Sequence, residues 1–256
     1  MVETARIFIA FGLTLLLVML RLEAERFGAA EYDELVGGRP PSRMRRLGWY
    51  LVGVVGVVAV YVVYPAPARD LYLVGGGQGV GGVALGLLLG GIGAGLAVGL
   101  AWWRYRHLRL PSIGAYPGAL VNEIGTAVLD EAVFRGALLG FLVLGGFEPR
   151  LAILTQAIAY VLATRLGAPG RSRPMFFLAC AVGLVAGWAT VLTGGIAASI
   201  LGHGVTRVAV FLTTGHAGQP APRGAEVEEV ERSRRAPEGW RVVAGEGTRR
   251  DGSRGR

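Results

Sequence analysis

Polar and apolar positions alternate along the chain in long blocks rather than residue by residue. Seven blocks are apolar over lengths that suit membrane-crossing helices, and the polar segments after the first, third and fifth blocks are rich in arginine. Their approximate bounds are 7–20, 47–64, 80–103, 116–144, 151–166, 175–192 and 194–214. The pattern predicts an all-α, polytopic membrane protein of about seven transmembrane helices.

The first block, at 7–20, is the shortest, and its length also suits the apolar part of a secretory signal peptide. Glu3 and a single arginine precede it, and the charged residues after it offer no convincing small-residue cleavage site. We therefore predict that this block is retained as a membrane anchor.

The composition supports a membrane protein and argues against nucleic-acid binding. Hydrophobic residues make up 52% of the 256 residues, with a mean hydropathy of +0.49. The net charge is +8, but the arginines flank apolar blocks and form no basic face interleaved with aromatics.

Cys180 is the only cysteine, which excludes an intramolecular disulfide and a thiolate metal cage. We predict the lipid bilayer as a partner and no cofactor, and the sequence leaves a metal ion open.

The arginines also predict how the chain is oriented. If the first, third and fifth loops and the C-terminal segment are cytoplasmic, 21 arginines lie on that side, Arg21 among them, and three lie on the other. Cytoplasmic loops of membrane proteins carry an excess of arginine and lysine. The sequence therefore predicts an integral protein of the cell inner or plasma membrane, with its N-terminus outside and its C-terminus in the cytoplasm.

Three parts of the chain differ in character. Residues 1–112 hold three transmembrane helices and their loops, and residues 113–216 hold four more helices that carry the candidate chemistry. Residues 217–256 mix glycine, proline, glutamate and arginine and include few residues that could pack. We predict that this last part is a disordered cytoplasmic tail.

The third apolar block carries glycines at a regular spacing. Two sets recur every four residues: Gly82, Gly86 and Gly90, then Gly91, Gly95 and Gly99. Small residues at this spacing let helices approach closely in lipid. The pattern predicts a tightly packed helix.

The fourth block contains charges in the middle of an apolar helix. Asp130, Glu131 and Arg135 fall within six positions, and each charge near the bilayer centre costs roughly 2.5–3.5 kcal/mol on insertion scales. Glu131 and Arg135 are four residues apart and share a helix face, so they can neutralise each other, but Asp130 remains. Glu123 and Thr126 extend the polar stripe toward the start of the helix. We predict that these side chains face the interior and form a functional site.

The last block contributes a histidine and an arginine at a matching depth. His203 lies between two glycines, and Arg207 follows one helical turn later. An unpaired arginine inside a membrane is rare, so we expect Arg207 to pair with Asp130 or Glu131.

These residues carry a resemblance to a known family. The segment Asp130-Glu131-Ala132-Val133-Phe134-Arg135-Gly136 resembles the Glu-Glu-x-x-x-Arg motif of the CAAX-protease and bacteriocin-processing (CPBP) family. These proteins are glutamate-dependent intramembrane endopeptidases related to the type II CAAX prenyl protease. The resemblance spans four blocks, from Tyr116 to Thr214, and implies a CPBP-like four-helix core in residues 113–216.

The resemblance also implies roles for single residues. Asp130 takes the place of the family's first glutamate, which activates water, and Glu131 takes the place of the second. Arg135 matches the arginine of the motif. His203 matches a later histidine that is thought to stabilise the oxyanion.

Two positions depart from the family pattern. The Phe-x-x-x-His motif is matched by Tyr160-Val161-Leu162-Ala163-Thr164, which has no histidine, and the His-x-x-x-Asn motif ends in Arg207. Arg207 could stabilise an oxyanion or could pair with Asp130 and block the base. The predicted catalytic set of Asp130, Glu131, Arg135, His203 and Arg207 is therefore incomplete by the family's standard.

Three functions remain open at this stage. The first is an intramembrane endopeptidase that cleaves a hydrophobic or membrane-proximal peptide. The second is a catalytically inactive pseudoprotease scaffold that binds a membrane peptide or lipid, and the third is a small transporter. Other protease types fit poorly, because the three histidines are dispersed, Asp130 is the only intramembrane aspartate, and Ser199 and His203 share one helix.

Overall fold

The residues that the structure describes form seven long helices, and each coincides with one predicted apolar block. The computed structural model describes residues 2–27, 29, 43–105, 108–111, 117–166, 173–214 and 240–243. The helices are α1 (Val2–Leu22), α2 (Arg43–Val63), α3 (Gly79–Tyr105), α4 (which begins at Pro117 and ends at Leu144), α5 (Pro149–Leu166), α6 (Arg173–Thr193) and α7 (Ala197–Thr214). The predicted fold class, a polytopic all-helical membrane protein, is confirmed.

Helix α4 changes its winding at the charged cluster. It is α-helical over Pro117–Asp130, π-helical over Glu131–Leu138 and α-helical again over Leu139–Leu144. In the wider turn the carbonyl oxygen of Gly136 accepts a hydrogen bond from the backbone N–H of Tyr72, at 3.2 Å. Short π-helical stretches are rare in proteins, and those that do occur are often found at functional sites.

Length and composition agree with a membrane location. Within the described residues, four helical stretches are long and apolar enough to cross a bilayer: Val2–Leu22, Met44–Val63, Gly79–Trp103 and Phe176–Thr193. Two shorter apolar stretches lie at Pro149–Thr164 and Ala197–Thr213. Helix α4 differs from both groups because it carries the buried charges.

The smaller elements lie between or beyond the long helices. They are a 3₁₀ turn at Ala24–Phe27, a helical turn at Pro67–Asp70, and strands β1 (Leu108–Pro111) and β2 (Trp240–Val243). The two strands pair antiparallel, with Leu108 opposite Val243 and Pro111 opposite Trp240. Strand β2 lies in the segment predicted as a disordered tail, and the rest of that segment lies outside the described residues.

The main apolar core joins the N-terminal helices to α4. Its buried residues come from α1, the end of α2 and the segment after it, α4, α5 and α6: Ala10, Leu17, Val60, Tyr64, Leu71, Val133, Phe134, Ala137, Leu138, Phe141, Tyr160, Val161, Ala163 and Ala179. Helices α1 and α2 therefore pack against apolar residues of α4.

The segment between α2 and α3 packs into the end of the bundle. Leu71 is buried, and a Cβ at Gly140 would lie 2.8 Å from its Cδ2 atom. Val74 accepts a backbone hydrogen bond from Ile196, and Gly77 donates one to Thr193. This segment closes the end of the molecule at which α4, α6 and α7 meet.

One of the two glycine sets on α3 makes the predicted close packing. A Cβ at Gly86 would lie 2.8 Å from the carbonyl oxygen of Ala198, and a Cβ at Gly90 would lie 2.7 Å from Cβ of Val205. The backbones of α3 and α7 therefore meet where only glycine fits. The second set, Gly91, Gly95 and Gly99, has no atom within 4 Å of such a Cβ.

The contact between α3 and α7 gives the first testable prediction. Gly90→Leu should force α3 and α7 apart and destabilise the protein by roughly 1–3 kcal/mol, as overpacked cores do. For a chain of this size that corresponds to a fall of about 2–12 °C in the melting temperature. Thermal unfolding in detergent micelles measures it. Gly95→Leu is the matched control and should leave the melting temperature unchanged; equal losses in both variants would contradict the prediction.

Candidate active site

Helix α4 turns its charged side chains inward, as the sequence predicts. Glu123, Asp130, Glu131 and Arg135 are each at most 1% exposed. The α-helical part carries Glu123 and Asp130 two turns apart, and the π-helical turn carries Glu131 and Arg135. Because a buried charge is stable only with a partner, the contacts of each group define the site.

Glu131 is at the centre of these contacts. Its Oε1 atom accepts a hydrogen bond from Nδ1 of His203 at 2.7 Å and lies 3.2 Å from Nη1 of Arg135. Its Oε2 atom is buried and has no hydrogen-bond partner among the described residues. Glu131 thus has one oxygen held in place and one oxygen able to accept a further hydrogen bond.

His203 is held at both ring nitrogens. Nδ1 contacts Glu131, and Nε2 lies 3.2 Å from the hydroxyl oxygen of Tyr160. An ionised carboxylate can only accept, so Nδ1 carries a proton; when the imidazole is neutral, Nε2 then accepts from the Tyr160 hydroxyl. In this arrangement, no ring N–H of His203 is free for an oxyanion, which differs from the role that the resemblance implied.

Arg135 lies against the same tyrosine. Its guanidinium carbon is 4.1 Å from the ring centroid of Tyr160, a cation–π distance, and its Nη2 atom donates to the carbonyl oxygen of Val182. Its Nε–H is buried and has no hydrogen-bond acceptor within the part of the chain that the structure describes. The predicted pairing of Glu131 with Arg135 is confirmed.

Asp130 is paired with an arginine that the sequence analysis assigned to a loop. Arg21 Nε lies 2.7 Å from Oδ1 of Asp130 and Nη2 lies 3.5 Å from Oδ2. Arg21 belongs to the last turn of α1 and is 6% exposed, so its assignment to the first loop was wrong. The chain brings the two residues together because α1 packs along α4.

A small cavity lies beside this ion pair. Its volume of about 10 Å³ is close to the minimum that one water molecule needs. Its walls are mostly apolar and come from α1, α2 and α4: Leu17, Leu20, Arg21, Trp49, Gly53, Leu129, Asp130, Val133 and Phe134.

Arg207 forms an ion pair with a carboxylate that was not predicted as its partner. Its Nη2 atom lies 2.9 Å from Oε2 of Glu123, whereas the expected partner was Asp130 or Glu131. Asn122 donates to Oε1 of Glu123, and the Tyr50 hydroxyl contacts the side chain of Asn122. Arg207 and Glu123 therefore form a second charged cluster nearer the start of α4.

The position that lacks the family's histidine does not reach the site. The Thr164 hydroxyl donates to the carbonyl oxygen of Tyr160 at 2.8 Å, within its own helix. Ser199 likewise contacts Thr190 and the carbonyl oxygen of Ile196. Among the residues that the structure describes, no group of three or more histidine, cysteine, aspartate or glutamate side chains could hold a metal ion.

Two residues of this site, and one buried polar residue outside it, were not predicted from the sequence. Arg21 gave no signal, because an arginine at the end of an apolar helix ordinarily faces water. The hydroxyl of Tyr160 was noted only as a departure from the Phe-x-x-x-His pattern. Gln156 is fully buried and donates to the carbonyl oxygen of Gly183; a lone amide in the apolar fifth block was the signal for it.

Comparison with known proteins agrees with the resemblance. Residues 112–209 match the family model described as type II CAAX prenyl endopeptidase Rce1-like, which confirms the resemblance to the CAAX-protease family. The match includes Glu131, Arg135 and His203 but not Arg21. No match to the chain was found among curated proteins or among solved structures.

The ion pair between Arg21 and Asp130 gives a second prediction. Arg21→Met and Asp130→Leu should each destabilise the protein by about 3–5 kcal/mol, because each leaves a buried charge without its partner. The double variant should recover most of that loss. Melting temperatures of the four proteins in micelles form the test.

The surface pair of Arg69 and Asp70 is the control for this cycle. Arg69 is 80% exposed, so Arg69→Met should change the stability by less than about 1 kcal/mol. A double variant as unstable as the sum of its single variants would show that Arg21 and Asp130 are not coupled.

Proposed function

We propose that this chain, whose residues 112–209 belong to the Rce1-like family of type II CAAX prenyl endopeptidases, hydrolyses a peptide bond within the membrane. A CAAX-type, intramembrane protease-like function follows from the family. The finer assignment rests on one observation: Glu131 is buried, His203 holds one of its oxygens, and the other oxygen has no hydrogen-bond partner among the described residues. A carboxylate in this state is suited to activating water.

The proposed reaction uses Glu131 first as a base and then as an acid. Oε2 takes a proton from a water molecule, and the water oxygen attacks the carbonyl carbon of the substrate peptide. The carbonyl electrons move to oxygen, where the Nε–H of Arg135 stabilises the negative charge. Glu131 then passes its proton to the peptide nitrogen as the C–N bond breaks. The products are a carboxylic acid and an amine.

Glu131 fits the role of base better than Asp130. Both oxygens of Asp130 face guanidinium nitrogens of Arg21, whereas Glu131 retains Oε2. Glu131 also lies one turn from the free Nε–H of Arg135. The proposal therefore moves the base from the first acidic position of the motif to the second.

The partners we propose are the lipid bilayer and a hydrophobic or membrane-proximal peptide. The chain is an integral membrane protein; we further propose that its N-terminus lies outside and its C-terminus in the cytoplasm. Along the chain the arginine-rich segments follow every second long helix, and this alternation supports the orientation. Arg6, near the opposite end, donates to the carbonyl oxygen of Val63 at the end of α2.

A second candidate, a non-catalytic scaffold that binds a membrane peptide or lipid, has one observation in its favour. Thr164 turns back on its own helix where the family has a histidine, and Asp130 and Glu123 are both ion-paired. A scaffold needs these pairs only for stability. Its binding would not depend on the charge of Glu131.

The third prediction separates these candidates. Glu131→Gln keeps both the size and the oxygen that accepts from His203, but it removes the base. In a proteolytic protein the Glu131-dependent cleavage products should fall by at least about 100-fold. Mass spectrometry of peptide termini in membranes from cells that express each variant measures them, with no substrate chosen in advance.

Glu148→Gln is the matched control for this substitution. Glu148 is exposed and accepts hydrogen bonds from backbone N–H groups at the start of α5, which a glutamine oxygen can also do. Products should persist in this variant at the wild-type level. A wild-type protein whose membranes contain no product that Glu131→Gln abolishes would support the scaffold instead.

The fourth prediction concerns orientation. Alkaline phosphatase fused after the C-terminus should be inactive, and a fluorescent protein fused there should fluoresce, because both report a cytoplasmic end. Fusions after Gly75, between α2 and α3, should give the opposite pattern. The reverse result at both positions would invert the proposed topology.

A further inference from the structure

We infer that Tyr160 is a positioning residue of this site: its hydroxyl fixes the imidazole of His203 in the form that donates to Glu131. The inference rests on the proposed function for its consequence, which is the placing of a base. Tyr160 stands where the resembled motif has phenylalanine, so the hydroxyl is an addition in this chain.

Three side chains form a hydrogen-bond relay with one direction. The Tyr160 hydroxyl lies 3.2 Å from Nε2 of His203, and Nδ1 of His203 lies 2.7 Å from Oε1 of Glu131. Because the carboxylate accepts at one end, neutral His203 must donate from Nδ1 and accept at Nε2. The partner at Nε2 must then be a donor, and the phenol is the group found there.

The relay explains why Glu131 presents Oε2 and not Oε1 to the proposed water. The N–H of His203 occupies Oε1 and fixes the plane of the carboxylate. If Nε2 lost its donor, the imidazole could take the other tautomer, with its proton on Nε2. Its Nδ1 would then face the ionised carboxylate lone pair to lone pair, and the two groups would separate.

Tyr160 is packed on several sides. It is 4% exposed, and the guanidinium of Arg135 lies over its ring. Its ring meets that of Phe134 edge-on at 5.4 Å and lies 5.9 Å from that of His203, almost perpendicular to it. Gly183 on α6 lies against α5 beside the ring: a Cβ there would lie 3.1 Å from Cβ of Ala157 and in ordinary contact, at 3.5 Å, with Cδ1 of Tyr160.

Thr164, on the same helix, does not serve this purpose. It is one turn further along α5, and its hydroxyl donates to the carbonyl oxygens of Tyr160 and Val161. The hydrogen bond from α5 to His203 comes from position 160. A phenol is long enough, and it supplies a donor where phenylalanine would supply none.

The fifth prediction tests the relay without an activity assay. The full chain is labelled with ¹⁵N-histidine and studied in lipid nanodiscs; it has three histidines, and the signals lost in His203→Gln identify His203. The wild-type protein should show a protonated Nδ1 and a hydrogen-bonded, unprotonated Nε2. In Tyr160→Phe the Nε2 resonance should move downfield or split between tautomers.

Tyr50→Phe is the matched control. Tyr50 is also an intramembrane tyrosine whose hydroxyl is hydrogen-bonded, to Asn122 and Thr126, and it has no contact with His203. This variant should leave both nitrogen resonances of His203 in place. Unchanged resonances in Tyr160→Phe, or a wild-type His203 protonated at Nε2 and bare at Nδ1, would overturn the inference.

Cleavage gives a second, separable measurement. Where the wild-type chain yields Glu131-dependent products, Tyr160→Phe should reduce them about 10- to 100-fold, the range seen when the partner of a metal-bound histidine is lost. Products at the wild-type level in Tyr160→Phe would refute the positioning role and leave the proposed function intact. The nitrogen resonances, in turn, report on the relay whether or not any product is found.

Discussion

A carboxylate buried inside a membrane protein must be neutralised nearby, and this requirement organises the molecule. Helix α4 carries three buried carboxylates, and a different arginine contacts each one: Arg207 at Glu123, Arg21 at Asp130 and Arg135 at Glu131. The effective penalty for an isolated buried charge is several kcal/mol, so three unpaired carboxylates would cost about as much as the whole stability of a typical protein. The helices must therefore be placed where the arginines can reach.

These pairs determine which helices surround α4. Arg21 connects α1 to the middle of α4, and Arg207 connects α7 to its first half. The glycines of α3 then let that helix press against α7, which keeps His203 beside Glu131. Arg21, which lies outside the matched segment 112–209, thus neutralises Asp130 within that segment.

The sequence was sufficient for the helices and for the inward direction of the charges, because hydropathy and the cost of exposed charge in lipid are local properties. The partners were harder to predict, since they depend on the relative depth of helices far apart in sequence. Arg21 and Asp130 are 109 positions apart. Arg207 has three acidic groups within two turns of α4, and only packing selects Glu123. The π-helical turn also shifts Arg135 relative to an ideal helix, which no periodicity in the sequence reveals.

Adjacent carboxylates of the same motif have different chemistry because of what surrounds them. A guanidinium with two nitrogens toward one carboxylate, as at Asp130, satisfies both oxygens and leaves a stable ion pair. At Glu131 the His203 imidazole donates one N–H to Oε1, and Arg135 in the following turn approaches the same oxygen. Oε2 of Glu131 therefore has no hydrogen-bond partner among the described residues. A structural pair gains nothing from an unsatisfied buried oxygen, which carries a desolvation penalty of about 1–3 kcal/mol. A bound water or substrate would offset that penalty, and this asymmetry is the reason that we propose Glu131, and not Asp130, as the base.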